Sequence, residues 1–340
     1  MSRLCFALIL TLFSHSVIAQ ISSSVGFKNI TIDKNSERPL NVAIWYPTPP
    51  NNNSIKVSDN AAFYGTDVVN DGAPSDTKSP LIILSHGYAG SWNNLSWLAS
   101  ELVNKGYIVA APNHPGTTTF NLDSQQAKQL WERPRDLSRV IDYLTLDPLF
   151  KKHIDNNNII AIGHSLGGWT VIALAGGRFD TQLFQEDCIE HTILAACKLS
   201  STLDLNNPEL NNNMADPRVT TVISLDAGVL RGFSPESLAK IQTPTLIIAA
   251  SIDIGDMPAK LESGYLYKYI PKDTSSYIEL PDTTHFSFMQ LCKPGAVALL
   301  DAEYAGEGII CKDGNKRDRN DAHEEMTELI SKFMMNNMRK

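Results

Sequence analysis

One stretch limits the choice of fold more than any other. Ile159-Ile160-Ala161-Ile162 is apolar and β-rich, and Asp155-Asn156-Asn157-Asn158 bounds it upstream. Gly163-His164-Ser165-Leu166-Gly167 follows at once, and then Gly168-Trp169-Thr170-Val171-Ile172-Ala173-Leu174-Ala175, long enough for a buried helix. Buried strand, sharp turn and buried helix in that order form a nucleophile elbow. Glycines must flank the central serine, because the turn leaves no room for side chains there, and the serine Oγ is held clear of the backbone. Ser165 is therefore the candidate nucleophile, and the chain around it has to supply a sheet, a base, an acid and oxyanion donors.

Strands are expected at 27–32, 41–46, 81–84, 107–111, 159–162, 219–225, 245–250 and 276–280. Between them run helical spacings: Leu95, Leu98, Ala99, Leu102 and Val103; then, near Pro134, Leu137, Val140, Ile141 and Leu144; and finally Met326, Leu329, Ile330, Phe333 and Met334. Near-continuous apolar strands alternating with helices predict an α/β fold with a mostly parallel sheet covered on both faces. Residues 47–80, rich in Pro, Asn, Asp and Ser, read as a long surface excursion. Residues 178–217 read as a small helical insertion, a lid over the active edge. The 340 residues are 43% hydrophobic and 19% charged, enough for one large core. A formal charge of −8 with no basic stripe gives nucleic-acid binding no electrostatic support.

Residues 1–19 read as a secretory signal peptide: Arg3, a mostly apolar run over 4–12, and a more polar end at Ala19 before Gln20. The apolar run is too short for a permanent anchor, so no stable membrane insertion is expected. Residues 20–340 then form a single catalytic domain, secreted or periplasmic. Four cysteines remain beyond that segment. The sequence-local pairs Cys188 with Cys197 and Cys292 with Cys311 each close a short loop, and export favours disulfides over a zinc site.

A serine hydroxyl needs a base, oriented by a third group. His285, in Pro281-Asp282-Thr283-Thr284-His285-Phe286 directly after the last strand, is the candidate base. His164 should point away from the reacting Oγ, His86 and His114 shape turns after earlier strands, and His153, His191 and His323 lie in surface segments. For the acid, Asp253 just past the 245–250 strand is preferred, Asp226 at the end of the preceding strand is the alternative, and Asp256 is a weaker third. The oxyanion donors are expected to be the amides of Leu166 and of Tyr88, the latter in Ser85-His86-Gly87-Tyr88-Ala89-Gly90. Trp92, Trp131, Trp169 and Phe286 are candidate linings of an apolar acyl pocket. Residues 313–321 are acidic but lack EF-hand spacing. Neither a metal nor an organic cofactor is expected, and the expected partner is a small-molecule ester or lipid substrate.

These residues resemble the α/β-hydrolase superfamily. More narrowly, residues 40–335 resemble exported bacterial hydrolases of the dienelactone-hydrolase-like type, relatives of the platelet-activating-factor acetylhydrolases. The likeness rests on Ser85-His86-Gly87-Tyr88, on Ala111-Pro112-Asn113-His114-Pro115-Gly116-Thr117, and on Arg133-Pro134-Arg135-Asp136. It rests further on the elbow, on Leu225-Asp226-Ala227, and on Thr284-His285-Phe286-Ser287-Phe288. It implies an α/β-hydrolase fold with a small helical lid, and it agrees with the local cysteine pairs. True dienelactone hydrolases have a cysteine nucleophile where position 165 is serine. The platelet-activating-factor enzymes carry their acid in a segment matching Asp226, and polyester-degrading cutinases in one matching Ala250-Ser251-Ile252-Asp253. The expected activity is hydrolysis of carboxylic esters, of short acyl chains if the lid is small. The alternatives are a phospholipase or platelet-activating-factor acetylhydrolase-like lipase, a serine peptidase, and a catalytically dead binding protein.

Overall fold

The computed structural model describes residues 24–339, so the signal segment expected at 1–19 lies outside the described residues. Ten strands form one sheet: β1 (Ser24–Ile32), β2 (Leu40–Thr48), β3 (Ile55–Val57), β4 (Thr66–Asn70), β5 (Ser79–Ser85), β6 (Ile108–Pro112), β7 (Ile154–His164), β8 (Val219–Leu225), β9 (Thr245–Ala250) and β10 (Ser275–Leu280), in the order β10-β9-β8-β7-β5-β6-β2-β1-β4-β3. From β10 to β6 every neighbouring pair is parallel. β2 joins antiparallel to β6, and β1 antiparallel to β2. All the expected strands form. The 47–80 excursion differs from its reading as a plain surface loop: within it β4 pairs with β1, and β3 with β4, as a short, polar edge.

The helices are α1 (Ser96–Asn104), α2 (Ser124–Ala127), α3 (Glu132–Leu146), α4 (Leu166–Leu174), α5 (Thr181–Glu190), α6 (Ala195–Lys198), α7 (Ser200–Leu203), α8 (Pro235–Leu238), α9 (Ser263–Tyr269), α10 (Ala296–Glu303) and α11 (Arg319–Asn337). Side chains alternate across each strand, so β5 sends Leu81 and Ile83 to one core and Ile82 and Leu84 to the other. On the first face lie Leu137, Val140, Ile141 and Leu144 of α3 with all of α4's large apolar residues. On the second lie Leu98 and Leu102 of α1 with Met326, Ile330 and Met334 of α11. α4 is apolar all round, and every one of its residues is buried, as a helix sandwiched between sheet and α3 must be.

The 178–217 insertion folds as α5, α6, α7 and a short turn, and is rooted in the first core through Phe184, Leu203, Leu205 and Leu210. Cys188 is bonded to Cys197 inside it, and Cys292 to Cys311 near the carboxyl terminus. An ion triad with Arg231 and Glu262 buried and Asp187 partly exposed also ties the insertion down. Arg231 donates to Asp187 of α5 (2.7 Å) and to Glu262 (2.5 Å), and Glu262 accepts the Leu230 amide (2.8 Å).

Candidate active site

Six adjacent parallel strands share a direction, so their carboxyl ends meet along one edge, where α/β sheets place their ligands. β7 ends at His164 and β8 at Leu225, which brings Ser165 and Asp226 side by side. Ser165 adopts φ 57° and ψ −122°, a conformation that side chains rarely take. The neighbourhood fixes it there: its amide donates to the Leu225 carbonyl (3.0 Å), and its carbonyl accepts from Gly168 (2.9 Å). The glycines are required by contact. A Cβ on Gly163 would sit 2.0 Å from the Gly167 carbonyl oxygen, and one on Gly167 would sit 1.9 Å from that of Ser85.

His285 completes the cluster. Its Nε2 lies 3.0 Å from Ser165 Oγ, and its Nδ1 lies 2.6 Å from Asp226 Oδ2. An ionised carboxylate only accepts, so Nδ1 carries the proton and Nε2 turns its lone pair to the serine. Asp226 is itself held: Oδ1 accepts the Ala250 amide at 2.8 Å, and its own amide donates to the Ile248 carbonyl at 2.7 Å. All three side chains are mostly enclosed, with Ser165 the most open of them.

The preferred acid from the sequence, Asp253, is not in this cluster. It is exposed, and its Oδ1 caps the Gly255 amide at 2.8 Å. Its loop does touch the histidine loop, through the Ile252 amide donated to the Thr283 carbonyl (2.9 Å), but the carboxylate turns to solvent. Asp256 pairs with Lys198 of α6 at 3.0 Å. The structure thus brings Asp226, the sequence alternative, to the imidazole. The reason is local. Asp226 takes a left-handed φ of 38° directly off the β8 end, which swings its carboxylate across the top of β9 toward His285.

The histidine loop is braced from several sides that the sequence left unread. His164 does point away from Oγ, and its Nε2 donates to the His285 carbonyl at 3.0 Å. Burial, and then the neighbouring His285, draws His164 down to about 3, so it is neutral. The Thr284 amide donates to Ser287 Oγ (2.9 Å), which in turn donates to Asp313 (2.5 Å). Asp313 is gripped by the nearly buried Arg319. His323 is buried rather than superficial. It stacks on Trp97 with ring centroids 3.5 Å apart, and its Nε2 donates to the Ser287 carbonyl. His153 is buried too.

Opposite the serine, Gly87 faces it so closely that a Cβ there would meet Ser165 Cβ at 3.0 Å and Oγ at 3.4 Å. The turn carrying Gly87 and Tyr88 therefore borders the space above Oγ, and Leu166 opens α4 on the other side. Beneath that turn lies a buried polar network. His86 donates from Nδ1 to the Gly87 carbonyl (2.7 Å) and accepts the His114 amide at Nε2 (3.0 Å). His114 bridges Asp136 (3.0 Å) and Ser85 Oγ (3.0 Å). Burial, reinforced by Arg133, holds both rings well below the usual histidine range, so both are neutral.

Of the four aromatics expected to line an acyl pocket, two lie elsewhere. Trp169 is fully enclosed against Phe179 and Phe233, and Trp92 packs on Phe27 and Trp45 with its indole N–H donated to Asn41. α4 turns Trp169 into the first core, and the helical turn at residues 92–95 turns Trp92 into the second. Phe286 stays beside His285, with ring centroids 5.3 Å apart. Trp131 is half-buried against the same core as Tyr88. A cavity of about 400 Å³ beside Trp97 and His323 is lined by α1 and α11 and lies apart from Ser165. Asp187, Cys188 and Cys197 stand within reach of one another, but the sulfurs are bonded together and offer no thiolate to a metal. No helix of the described residues is long and apolar enough to cross a membrane.

Residues 82–298 match the profile of the alpha/beta hydrolase family. Among curated proteins, the chain is similar to the cutinase est1 of Thermobifida alba, 26% identical over 61% of this chain and 53% of the relative. It is similar also to the bis(hydroxyethyl) terephthalate hydrolase of Streptomyces coelicolor, 24% identical over 63% of this chain and 52% of the relative. The matched stretch thus spans about half the length of these relatives. Among solved structures, the ferulic acid esterase of Streptomyces cinnamoneus superposes with a TM-score of 0.64 at 18% identity, covering 95% of this chain and 92% of its own.

Proposed function

Because this chain belongs to the alpha/beta hydrolase family, we propose that it is a serine hydrolase of carboxylic esters working through Ser165, His285 and Asp226. The observation that carries the reading is the pair of contacts made by one imidazole, 3.0 Å to Ser165 Oγ and 2.6 Å to Asp226. Ser165 Oγ attacks the ester carbonyl while His285 Nε2 takes its proton. Asp226 fixes the tautomer and stabilises the imidazolium that forms. The amides of Leu166 and Tyr88 hold the developing oxyanion, which a preorganised donor pair stabilises more than the ground-state carbonyl. The imidazolium then protonates the leaving alcohol, and an acyl group stays on Ser165. Water, deprotonated by the same Nε2, attacks the acyl-enzyme and releases the acid. Every step uses groups of this chain and water.

The substrate class is supported by the relatives, whose names are those of cutinases and of a terephthalate-ester hydrolase, and by the esterase whose fold this chain shares. Within that class we favour short acyl groups. The 178–217 insertion acts as a small lid, braced by a disulfide and a largely buried ion triad, and such a cap leaves little room for a long chain. Two disulfides, together with the signal-like composition of residues 1–19, support export to the periplasm or beyond. The test is a series of p-nitrophenyl esters of graded acyl length. We expect kcat/KM to peak between acetyl and hexanoyl and to fall sharply by dodecanoyl, and Ser165→Ala to abolish turnover by several orders of magnitude with the fold intact. Ser165→Ala activity within tenfold of the parent would refute the nucleophile. Rates still rising through palmitoyl would refute the short-chain range and favour a lipase.

A further inference from the structure

Arg133 is the least expected side chain in the molecule. It sits in the first turn of α3 and is 1% exposed, yet among the described residues no carboxylate lies within ion-pair distance of it. Its four partners are all neutral. Nε donates to Thr170 Oγ1 (2.9 Å), Nη1 to Thr117 Oγ1 (2.5 Å), and Nη2 to Ser85 Oγ (3.2 Å) and to the His86 carbonyl. The closest acidic candidate, Asp136, is occupied by Arg38, Arg139 and His114. Burying a guanidinium without a direct counter-charge is costly, and a neutral side chain of similar shape would fill the same space at less cost. Burial draws Arg133 down to about 9, which leaves it cationic at neutral pH.

What the guanidinium holds explains its presence. Its Nη2 grips the His86 carbonyl, two residues before Tyr88 in the turn that borders Ser165. Its Nε grips Thr170, whose hydroxyl donates to the Leu166 carbonyl (3.0 Å) in the first turn of α4. One planar group thus ties together the two backbone pieces that border the nucleophile on either side. We propose that Arg133 is the positioning residue of the oxyanion hole, setting the spacing of the Tyr88 and Leu166 amides and placing a fixed positive charge behind both. The proposal rests on the serine-hydrolase reading above. A group that acts on the oxyanion stabilises charge appearing only in the transition state, so its loss lowers kcat and leaves KM nearly unchanged.

The test compares the full-length exported protein with Arg133→Met, Arg133→Lys and Thr170→Val. p-Nitrophenyl butyrate turnover is expressed per active site titrated with a fluorophosphonate, and affinity is measured for butaneboronic acid against butyrate. Loss of a single oxyanion donor lowers kcat by about 10²- to 10³-fold, and Arg133→Met should lower kcat per titrated site by about 10²-fold with KM changed by less than about threefold. Boronate affinity should fall in parallel while butyrate affinity holds. Arg133→Lys keeps the charge without the fork and should recover part of the loss, and Thr170→Val should lose about tenfold in the same pattern. An Arg133→Met kcat per titrated site within about threefold of the parent would overturn the proposal, as would a loss confined to the number of titratable sites or to the melting temperature. If Arg133→Met does not fold, the Lys and Thr170→Val variants decide by the same criterion. A parent that neither titrates nor hydrolyses the ester refutes the serine-hydrolase reading itself, and that outcome is visible before any variant is made.

Discussion

At the scale of single residues, the choice of acid is the sharpest question. The Asp226 carboxylate accepts twice, once from Ala250 and once from His285, whereas among the described residues that of Asp253 accepts only from its own loop. Replacing a triad carboxylate by the isosteric amide favours the wrong imidazole tautomer and lowers turnover by about 10⁴-fold in a comparable triad. Asp226→Asn should therefore lose on the order of 10⁴-fold in kcat, and Asp253→Asn should stay within about threefold, as surface substitutions do. Steady-state kinetics on p-nitrophenyl butyrate separate the two, and the reverse order would move the acid to the 251–262 loop. Ser165 and His285 were legible in the sequence because each is pinned by a covalent neighbourhood: one by glycines, the other by its place after the last strand. The acid was not. Both aspartates follow buried strands, and what distinguishes them is a backbone angle, φ 38° at Asp226, that no residue pattern announces. The aromatics failed for a related reason. Trp92 and Trp169 have the composition of a pocket lining, but the helical turn that carries each points it into a core.

At the scale of elements, the elbow is a contact between strand, turn and helix with no spare volume. Gly167 is the clearest case: a methyl there would press on the Ser85 carbonyl oxygen at 1.9 Å and the Ser85 carbon at 2.6 Å, both backbone atoms. Backbone cannot swing aside as a flexible side chain can. Gly167→Ala should therefore destabilise by about 3 kcal/mol or more and abolish turnover, because β5 carries the turn that faces Ser165. Urea unfolding reads the first effect. A midpoint unchanged from the parent would mean that α4 and the β5 turn are further apart than described here. The central strands and the three long helices were readable from period and apolar runs. β3 and β4 were not, because they are short and lie at or next to the sheet edge, and Val68 and Val69 alone are buried in them, too few to write a period. The bracing of the histidine loop by Asp313, Arg319 and His323 was equally hidden. Those residues are distant in sequence and meet only because α11 packs back beside the loop.

At the scale of the whole molecule, buried neutral histidines tie stability to pH. His323 is drawn down to about 3 by burial, and His164 likewise, while His86 and His114 are held well below the usual range. An unfolded histidine titrates near about 6.5. Between that pH and about 3 the unfolded chain binds protons that the folded chain refuses, so these groups contribute stability that is full above about 6.5 and is lost as pH falls. His323→Gln keeps a donor toward Ser287 but removes one such proton. The decline of unfolding free energy between pH 6 and 4 should then be shallower by up to about 1.4 kcal/mol per pH unit. Urea midpoints across that range measure it, and an unchanged slope would mean that His323 is protonated in the fold.

The proposed chemistry requires Ser165 to be the activated serine at the edge where six parallel strands end. Exposure to an alkyl fluorophosphonate, followed by intact mass and peptide mapping, reads this directly. We predict a single phosphonyl adduct, carried by the peptide containing Ser165, with hydrolysis of p-nitrophenyl butyrate lost in proportion to the labelled fraction. Hydrolysis that persists after complete labelling, or a label on any other residue, would contradict it.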